Sequence, residues 1–453
     1  MDDRDAPEIR TAFALLDTEL RAECVHRKWA GMSAAVVLDQ QIAWSNGYGF
    51  ANVEERTPAT PRTFYSIASI TKLFTVTMLM QLRDAGQVQL DEPVARYDPT
   101  FTVPCPFATT RPITFRHLAS HTAGLPKDFP FPYWDTQVIP PIDALLATLP
   151  DMVPVFPPMA RFKYSNIGMA CLGHALEQIA GQPYTEYVLE HIVRPLGMAR
   201  TDFAVNEAVR ADLALGYQSA TAGAAPQRAP YFPDYDIGGL AATGGLYSSV
   251  EELARFIMQQ FRDGPPGGGQ ILDGATLREM HAPVMLRDGW AGAIGLGWWL
   301  WQVAGETVIG HPGDHSGFNT EIRLIPELKL GLAVCINSNG DLGAVAKRAC
   351  ELLAPVIRQT GEHVRQARGD VPPEWEKYTG KYGAFEVAIE RGELIGRSWE
   401  APGERVVFEP VFAGAFRMRG GFLTGERVTF EEDATGRVTR MRYNAFTRQR
   451  SES

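Results

Sequence analysis

The chain carries, between residues 65 and 72, the run Tyr65-Ser66-Ile67-Ala68-Ser69-Ile70-Thr71-Lys72. The run continues to Leu82 as a mostly apolar segment with helical spacing, which predicts a helix whose N-terminus lies at or next to Ser69. Lys72 follows three residues after Ser69, and positions i and i+3 of a helix share one face with Cβ atoms about 5–6 Å apart. The ammonium group of Lys72 can therefore reach the hydroxyl of Ser69.

The pair Ser69 and Lys72 has the residue types of an activated nucleophile. A serine hydroxyl needs an adjacent base, and a lysine can be that base when burial or a second cationic field lowers its pKa. The free N–H groups of a helix N-terminus also favour developing negative charge. The alternative is a capping serine with a solvated lysine on the first turn, and the tetrapeptide alone does not decide between the two.

Length and composition indicate a globular protein with two domains, or with one large domain and an appendage. The 453 residues exceed what one hydrophobic core usually serves. The contents of 45 % hydrophobic and 21 % charged residues are ordinary for a soluble protein. The formal net charge is −10 and the pI is about 5.5. Because no basic cluster offsets this balance, we expect neither nucleic acid nor a membrane surface as a partner.

The N-terminus and the cysteines favour a cytoplasmic location. The acidic segment from Met1 to Pro7 lacks the positive and apolar regions of a secretory signal. No stretch approaches 18 uninterrupted apolar residues, so no transmembrane helix is expected. The cysteines are odd in number, scattered and without a C-x-x-C pair: Cys24, Cys105, Cys171, Cys335 and Cys350. This pattern predicts free, mostly buried thiols in a reducing cytosol.

The periodicity along the chain predicts an α+β fold. An amphipathic helix over 9–27 is followed by two strands around a short turn, at 31–39 and 42–49. Four further antiparallel strands and a final helix are predicted at 295–301, 306–311, 318–325, 330–337 and roughly 342–359. The segment His311-Pro312-Gly313-Asp314 is predicted to lie between two of these strands, where a backbone N–H could be presented.

Residues 127–160 and the two histidines before them allow a structural or a functional interpretation. The segment is rich in proline and aromatic residues, and Trp134 either lines a substrate cleft or packs on the surface. His117 and His121 have the i, i+4 spacing of zinc ligands on a helix. No third ligand follows at a telling spacing, so a helix end closed by Gly124 is the favoured interpretation.

Two other motifs precede predicted helices. Tyr164-Ser165-Asn166 comes directly before an apolar helix that is closed by Gly181. A phenol beside a lysine can share its proton and an asparagine amide both donates and accepts, whereas the alternative is a helix cap with a packed tyrosine. The glycine turn at 243–247 leads into a helix for which Ser248 or Ser249 is a good N-cap, and we interpret this motif as structural.

A change of composition after Arg365 predicts the domain organisation. Residues 1–365 form one domain, 366–375 a polar linker, and 376–453 a small antiparallel sheet or barrel with glycines between short alternating strands. The last region contains neither histidine nor cysteine, nor a pair of acids that we would call catalytic. It is predicted to be an accessory domain.

Ser69-Ile70-Thr71-Lys72, Tyr164-Ser165-Asn166 and His311-Pro312-Gly313 occur in the order of a known set of motifs. The sequence resembles the serine β-lactamase and penicillin-binding-protein superfamily, whose active-site elements are S-x-x-K, Y-x-N and K-T-G or its variant H-x-G. It is most similar to the class C-like branch with H-x-G, which includes carboxylesterases, D-aminopeptidases and D-alanyl-D-alanine carboxypeptidase-like proteins. The segments 117–126 and 244–248 also resemble recurring parts of that branch, and the resemblance covers about residues 7 to 355.

The resemblance implies a fold and a role for each matched residue. It implies an antiparallel sheet flanked by helices, an all-helical subdomain, and a C-terminal barrel similar to the lipocalin-like domains of some members. Ser69 would be the acylated nucleophile, Lys72 a general base, and Tyr164 a group that shares or relays the proton to the leaving group, with the order of these two disputed in the family. Asn166 would orient Lys72 and the substrate, and His311 would supply a second cationic or hydrogen-bonding group near the tyrosine.

The resemblance further implies how the rest of the site is built. The backbone N–H groups of Ser69 and Asp314 would form the oxyanion hole. Gly313 is a further candidate for the substrate cleft, beside Trp134 with its two interpretations given above. No metal and no organic cofactor would be needed. The ligand would be a small ester or peptide substrate, and the oligomeric state is left open.

Departures from the family pattern narrow the expected activity. Pro312 replaces a small or hydroxyl residue and offers no hydroxyl or amide N–H to a substrate carboxylate. His311 is a weaker fixed charge than lysine at neutral pH. Pro158-Met159 lacks the glycine often found before Tyr-x-Asn. We predict a serine hydrolase of small esters, with D-aminopeptidase, D-alanyl-D-alanine carboxypeptidase-like or weak β-lactamase activity and a non-catalytic ligand-binding relative as alternatives.

Overall fold

The computed structural model describes most of the chain in two compact units. The described ranges are 6–107, 111–136, 138–218, 227–229, 237–267, 270–367, 372–390, 392–398, 405–412, 414–421, 423–444 and 446–451. The first unit is Pro7–Val356 and the second includes Ile357–Ser453. The predicted linker at 366–375 begins inside a helix that runs to Ala367, and its residues 368–371 lie outside the described residues.

Helices and strands alternate in the first unit, and strands dominate the second. The helices are α1 (Pro7–His26), α2 (Thr71–Asp84), α3 (Phe115–Ala119), α4 (Tyr133–Thr136), α5 (Ile142–Leu146), α6 (Asn166–Ala180), α7 (Tyr184–Val188), α8 (Glu207–Arg210), α9 (Ala241–Gly244), α10 (Val250–Gln259), α11 (Gly274–His281) and α12 (Leu342–Ala367). Short 3-10 helices lie at Ala68–Ile70, Val94–Arg96, Leu149–Asp151, Gly238–Leu240, Asp288–Trp290, Pro326–Leu328 and Pro373–Tyr378, and a π-helix at Leu189–Val193.

The strands of the first unit are β1 (Gly31–Leu38), β2 (Gln41–Asn52), β3 (Thr57–Pro58), β4 (Tyr65–Ser66), β5 (Tyr217–Gln218), β6 (Gln227–Arg228), β7 (Tyr247–Ser248), β8 (Met285–Leu286), β9 (Ala293–Ile294), β10 (Trp299–Val303), β11 (Glu306–His315), β12 (Phe318–Ile325) and β13 (Leu330–Ile336). The strands of the second unit are β14 (Gly380–Tyr382), β15 (Phe385–Glu390), β16 (Glu393–Ser398), β17 (Arg405–Phe412), β18 (Ala415–Arg419), β19 (Arg427–Glu432), β20 (Val438–Tyr443) and β21 (Phe446–Gln449).

A nine-stranded antiparallel sheet forms the frame of the first unit. Its order is β3-β2-β1-β13-β12-β11-β10-β9-β8, so the N-terminal hairpin and the C-terminal strands share one sheet. β1 is buried along nearly its whole length and pairs with both β2 and β13, which explains its continuous run of apolar and small residues. α10 packs against β1 and β13, and α1 packs against β2. The α+β fold predicted from the sequence is confirmed.

The helical part of the first unit is built around α2. This helix is buried on nearly every side and contacts α6, α7 and α9. The rings of Phe74 and Phe256 stack with centroids 4.3 Å apart and so join α2 to α10. Because these helices enclose α2, the residues of its first turn are buried.

Most predicted elements agree with the structure, with two corrections. α1, the hairpin of β1 and β2, the N-cap of α10 at Ser249 and the left-handed C-cap of α6 at Gly181 lie where they were predicted. The prediction that 311–314 lies between strands is wrong, because β11 continues to His315, which pairs with Phe318 of β12. The last helix, α12, is also longer than predicted and runs to Ala367.

The second unit contains an antiparallel barrel of eight strands. β14 to β21 are neighbours in sequence order, and a bridge between Tyr382 and Arg450 joins the first strand to the end of the chain. Aromatic side chains fill its core, with Phe416 and Phe430 in contact at 5.8 Å between ring centroids. The C-terminal β-barrel is confirmed, whereas its likeness to lipocalins stays a prediction.

The cysteines are mostly buried, as the sequence predicted. Cys24, Cys171, Cys335 and Cys350 are buried free thiols, and Cys105 is exposed. In the part of the chain that the structure describes, none of the helices has the length and apolar character needed to cross a membrane.

Candidate active site

Ser69 lies in a tight turn at the start of α2. The 3-10 helix Ala68–Ile70 leads directly into α2, as the sequence predicted. Ala68 has a φ of 45°, in the left-handed region that non-glycine residues adopt rarely and at an energetic cost. The turn is tied to its surroundings because the N–H of Ile67 donates to the carbonyl of Leu246 at 3.0 Å. Ser69 is thereby presented at a helix N-terminus.

Lys72 and Tyr164 both reach the hydroxyl of Ser69. The Nζ of Lys72 lies 2.8 Å from Ser69 Oγ, and the phenol oxygen of Tyr164 lies 2.9 Å from the same atom. Lys72 also donates to the backbone carbonyl of Thr243 at 2.6 Å. The structure therefore brings together three residues that the sequence analysis selected from two separate motifs, and Thr243 is a further contact that it missed.

Burial sets the protonation states of Lys72 and Tyr164. Burial lowers the pKa of Lys72 well below 10.5, although the carboxylate of Asp128 acts in the opposite direction. Burial also raises the pKa of Tyr164, against the hydrogen bond with Ser69. The lowered pKa of Lys72 favours its free amine at pH values below 10.5, and the raised pKa of Tyr164 favours its protonated phenol. In that arrangement the hydroxyl of Ser69 can donate to the amine while the phenol donates to Ser69 Oγ.

Asn166 has a different partner from the one that the resemblance implied. Ser165 caps α6 by accepting the N–H of Gly168 at 3.0 Å, which places Asn166 at the first position of the helix. The side-chain amide of Asn166 donates to Asp128 Oδ1 at 2.6 Å. The observed contacts of the Lys72 amine are Ser69 and Thr243, so the orienting contact of Asn166 is with Asp128.

The segment 121–128 supports the whole Tyr-x-Asn motif. The Oγ of Ser165 donates to the carbonyl of Pro126 at 2.7 Å, and the backbone N–H of Asn166 donates to the carbonyl of Lys127 at 2.7 Å. Gly124 has a φ of 73° and lies so close to the segment at Phe156 that an added Cβ would lie 1.9 Å from the carbonyl oxygen of Phe156. The interpretation of this segment as a helix end closed by Gly124 is wrong, because α3 ends at Ala119, and sequence analysis also missed the supporting role of the segment.

The two histidines of that region have separate structural contacts. His117 belongs to α3 and forms a capping box with Thr114, whose N–H donates to His117 Nδ1 at 3.2 Å. His121 lies beyond the helix with φ of 54°. The described residues contain no group of three or more His, Cys, Asp or Glu side chains arranged to hold a metal ion.

His311 is a neutral hydrogen-bonding group inside β11. Its Nδ1 donates to the carbonyl of Pro312 at 2.6 Å, so Nε2 is left as the bare nitrogen, without a hydrogen-bond partner among the described residues. Burial lowers the pKa of His311 to about 3, and the neighbouring Lys72 acts in the same direction. The imidazole centroid lies 6.3 Å from that of Tyr164. The resemblance implied a cationic or a hydrogen-bonding role for His311, and the uncharged ring suits the second of these.

Gly313 brings β11 against the turn that carries Ser69. A Cβ at this position would lie 2.1 Å from Thr320 Oγ1 and 2.4 Å from the carbonyl oxygen of Ile67. Thr320 Oγ1 itself donates to that carbonyl at 3.0 Å. Gly313 is thus a packing residue between β11 and the nucleophile's turn, and the next residue along β11, Asp314, reaches the cleft.

The cleft over Ser69 has a volume of about 460 Å³. Its walls are largely apolar and include Trp134, Ile237 and Trp299, and Asp314 adds a carboxylate. Trp134 is 40 % exposed and lines the cleft, which favours the first of the two interpretations made from the sequence. The cleft residues that the sequence analysis selected are Ser69, Trp134, Tyr164, Asn166, His311 and Asp314.

The chain matches one protein-family model over most of the first unit. The model described as Beta-lactamase matches residues 17–353, which is more than half of the 453 residues. The chain belongs to the beta-lactamase family. The members of this family are serine hydrolases, in agreement with the contacts of Ser69.

Individual members of the beta-lactamase family support the assignment. Beta-lactamase-like protein 2 of Dictyostelium discoideum is 30 % identical over 366 residues, which cover 78 % of this chain and 64 % of that protein. The match thus spans less than two thirds of that relative's length. The octameric penicillin-binding protein homologue from Pyrococcus abyssi has 26 % identity and a TM-score of 0.66, covering 96 % of this chain and 99 % of its own. That match must extend beyond residue 353 into the barrel.

A class C beta lactamase from Rhodobacter sphaeroides shares the fold. It has 22 % identity and a TM-score of 0.63, and the match covers 76 % of this chain and 99 % of that chain. The likeness shows that the two proteins have the same fold.

Sequence analysis missed two contacts of the family's catalytic motifs for physical reasons. Thr243 contributes only a backbone carbonyl, which carries no signature in the sequence. Asp128 follows a glycine and proline turn, and its role depends on a contact with Asn166, 38 residues away. The sequence did contain one signal for Asp128, the run of turn residues between His121 and Asp128. Such a run predicts a loop, and the conformation of a loop depends on the segments that pack against it.

Proposed function

We propose that the protein hydrolyses small esters through an acyl-enzyme formed on Ser69. The observation that carries the proposal is the double contact of Ser69 Oγ, at 2.8 Å from Lys72 Nζ and 2.9 Å from the phenol oxygen of Tyr164. A nucleophile needs a base within hydrogen-bond reach. Here it has one candidate base and one candidate acid at the same oxygen.

The proposed first half-reaction forms the acyl-enzyme. The free amine of Lys72 takes the hydroxyl proton as Ser69 Oγ bonds to the substrate carbonyl carbon. The backbone N–H groups of Ser69 and Asp314 stabilise the resulting oxyanion, and losing one such donor costs about 2.7–4 kcal/mol in the barrier. The phenol of Tyr164 then protonates the departing alkoxide and recovers a proton from Lys72, so the proton balance closes.

The proposed second half-reaction releases the acid. Water attacks the acyl carbonyl carbon and gives its proton to the base formed by Lys72 and Tyr164. The ester bond to Ser69 breaks, and Oγ recovers a proton. The lowered pKa of the buried Lys72 amine supports this scheme, because it makes the lone pair of the amine available at lower pH than in a solvated lysine.

The wall of the cleft that β11 forms supports neutral or cationic substrates over carboxylates, and the cation in the lining, Lys127, is paired with Asp128 at 3.7 Å. His311 is uncharged, because burial lowers its pKa to about 3. Pro312 has neither a hydroxyl nor an N–H to offer. Asp314 places a carboxylate in the same wall. A penicillin or a peptide with a free C-terminal carboxylate would meet negative charge there, whereas a small ester would meet the apolar faces of Trp134 and Trp299.

A D-aminopeptidase is the second candidate, and Asp314 is the observation that favours it. A carboxylate in the cleft can pair with the protonated amine of an N-terminal D-residue. The same nucleophile, base and acid would then cleave an amide in place of an ester. Ester and D-residue amide substrates with the same acyl group separate the two candidates.

Labelling with a fluorophosphonate probe, followed by intact-protein mass spectrometry, tests the proposal. We expect one adduct on the wild type and none on Ser69→Ala. A panel of p-nitrophenyl esters, D-residue amides and nitrocefin then ranks the substrates, with the esters expected first. A folded wild type that is neither labelled nor active would instead indicate a ligand-binding relative.

A further inference from the structure

We propose that His121 is a positioning residue that holds Tyr164 in place for proton transfer at Ser69. The inference rests on the role of Tyr164 in the proposed function. His121 is 1 % exposed and is not used in the mechanism above. Its backbone carbonyl and its Nδ1 atom contact the two neighbours of Tyr164 in the chain, and its ring contacts Tyr164 itself.

The first two contacts fix the backbone on both sides of Tyr164. The N–H of Lys163 donates to the backbone carbonyl of His121 at 2.8 Å. The N–H of Ser165 donates to His121 Nδ1 at 3.2 Å. His121 therefore accepts hydrogen bonds from both neighbours of Tyr164 in the chain. These two bonds restrict the position of the Tyr164 Cα.

The third contact supports the ring of Tyr164. The imidazole of His121 lies 4.5 Å from the phenol ring, between centroids, with the planes tilted by 36°. The same imidazole also contacts Phe162 edge to face at 6.1 Å. The phenol is thus supported on a buried flat surface while its oxygen points to Ser69 at 2.9 Å.

The protonation state of His121 suits a positioning role and not proton transfer. Because Nδ1 accepts an N–H, the neutral ring carries its hydrogen on Nε2. Burial lowers the pKa of His121 well below 6.5, and Lys72 and His311 act in the same direction. A protonated ring would also lose its bond to Ser165. Nε2 has no hydrogen-bond partner among the described residues.

The backbone of His121 indicates which substitutions test the contact cleanly. Its φ of 54° is readily adopted by glycine and, among other residues, by asparagine. His121→Gly removes the ring and Nδ1 without backbone strain. His121→Asn keeps an acceptor, because its amide oxygen occupies nearly the place of Nδ1. The backbone carbonyl that receives Lys163 is present in both variants.

A double-mutant cycle with Tyr164→Phe separates positioning from general stability. We expect His121→Gly to lower kcat for a p-nitrophenyl ester about tenfold or more, with KM within about twofold, because small misplacements of a reacting group are costly. In the Tyr164→Phe background the same change should alter kcat by less than about twofold, because the group that His121 positions is gone. His121→Asn should recover most of the wild-type kcat.

His117→Gly is the matched control for this cycle. His117 is a buried histidine whose Nδ1 accepts a backbone N–H at 3.2 Å, yet that bond lies at the start of α3. We expect its kcat to stay within about twofold of wild type in both backgrounds. Three outcomes would each overturn the inference. They are an equal loss of kcat for His121→Gly with and without the Tyr164 hydroxyl, no loss of kcat for His121→Gly, and no recovery of kcat in His121→Asn.

Hydrogen exchange tests the same contact without turnover. The amide of Ser165 should exchange faster in His121→Gly than in wild type or His121→Asn, whereas the amides of α2 should be unchanged. Unchanged exchange at Ser165 in an active enzyme overturns the inference alone. A wild type that hydrolyses nothing overturns the proposed function and, with it, the role assigned to His121.

Discussion

Replacing Gly313 by alanine tests how closely β11 must approach the turn that carries Ser69. The added Cβ would lie 2.1 Å from Thr320 Oγ1 and 2.4 Å from the carbonyl oxygen of Ile67. Ordinary contact begins at 3.4 Å. The side chain of Thr320 can rotate away, but the carbonyl of Ile67 belongs to the backbone. One of the two segments must therefore move by about 1 Å, which is the difference between 3.4 and 2.4 Å.

That displacement has a calculable cost for the reaction. Asp314 follows Gly313 on β11, and Ile67 precedes Ser69 by two residues, so the displacement separates the two N–H groups of the proposed oxyanion hole. A misplacement of about 1 Å costs about 100-fold in rate, which is equivalent to about 2.7 kcal/mol. We expect kcat/KM for a small ester to fall by that factor. Overpacking should also lower the stability by about 1–3 kcal/mol.

The assay compares kcat/KM, the rate of fluorophosphonate labelling and Tm for Gly313→Ala and a control. Gly168→Ala is the control, because its Cβ would lie 3.5 Å from Leu118 Cδ2, an ordinary contact. The double variant Gly313→Ala/Thr320→Ala should not recover activity, since the carbonyl of Ile67 remains. If Gly313→Ala keeps at least about half of the wild-type rate, the reasoning about the close approach is refuted.

Three further predictions concern Lys72, Asp128 and Asp314. Burial lowers the pKa of Lys72, so its neutral, basic form is populated above that lowered pKa. We therefore expect kcat/KM to rise with pH and to level off well below pH 10.5. A value of kcat/KM that still rises at about pH 10 would contradict this expectation. Asp128→Ala removes the acceptor of the Asn166 amide and should lower kcat/KM about tenfold with little change in Tm. Asp128→Asn keeps an acceptor oxygen, so its kcat/KM should fall less. Equal losses of kcat/KM in the two variants would show that only the charge of Asp128 matters. Asp314→Asn should shift the preference from cationic towards anionic esters about fivefold, from about 1 kcal/mol of Coulomb energy at 4 Å in water, and an unchanged ratio would exclude Asp314 from substrate selection.

Local patterns were sufficient for most elements and for the position of Ser69 at a helix start, whereas its selection as the expected nucleophile needed the three motifs in their order. The change from small residues to an apolar helical run located the start of α2, because helix termini have their own residue preferences. Alternation and turn residues located the hairpin of β1 and β2, and Ser248 or Ser249 was expected to cap the helix that Ser249 caps. The pattern failed at 311–314, where proline and glycine suggested a break inside what is a continuous strand.

The sequence by itself determined the α+β class, the helix that carries Ser69 and the order of the three motifs. Only the tertiary structure decided that Lys72 and Tyr164 meet at one oxygen, that Asn166 binds Asp128, and that His311 is uncharged. The physical reason is that periodicity and capping depend on neighbours within one turn of chain, whereas burial, and with it the pKa of a lysine or histidine, depends on segments that come together only when the sheet and helices pack.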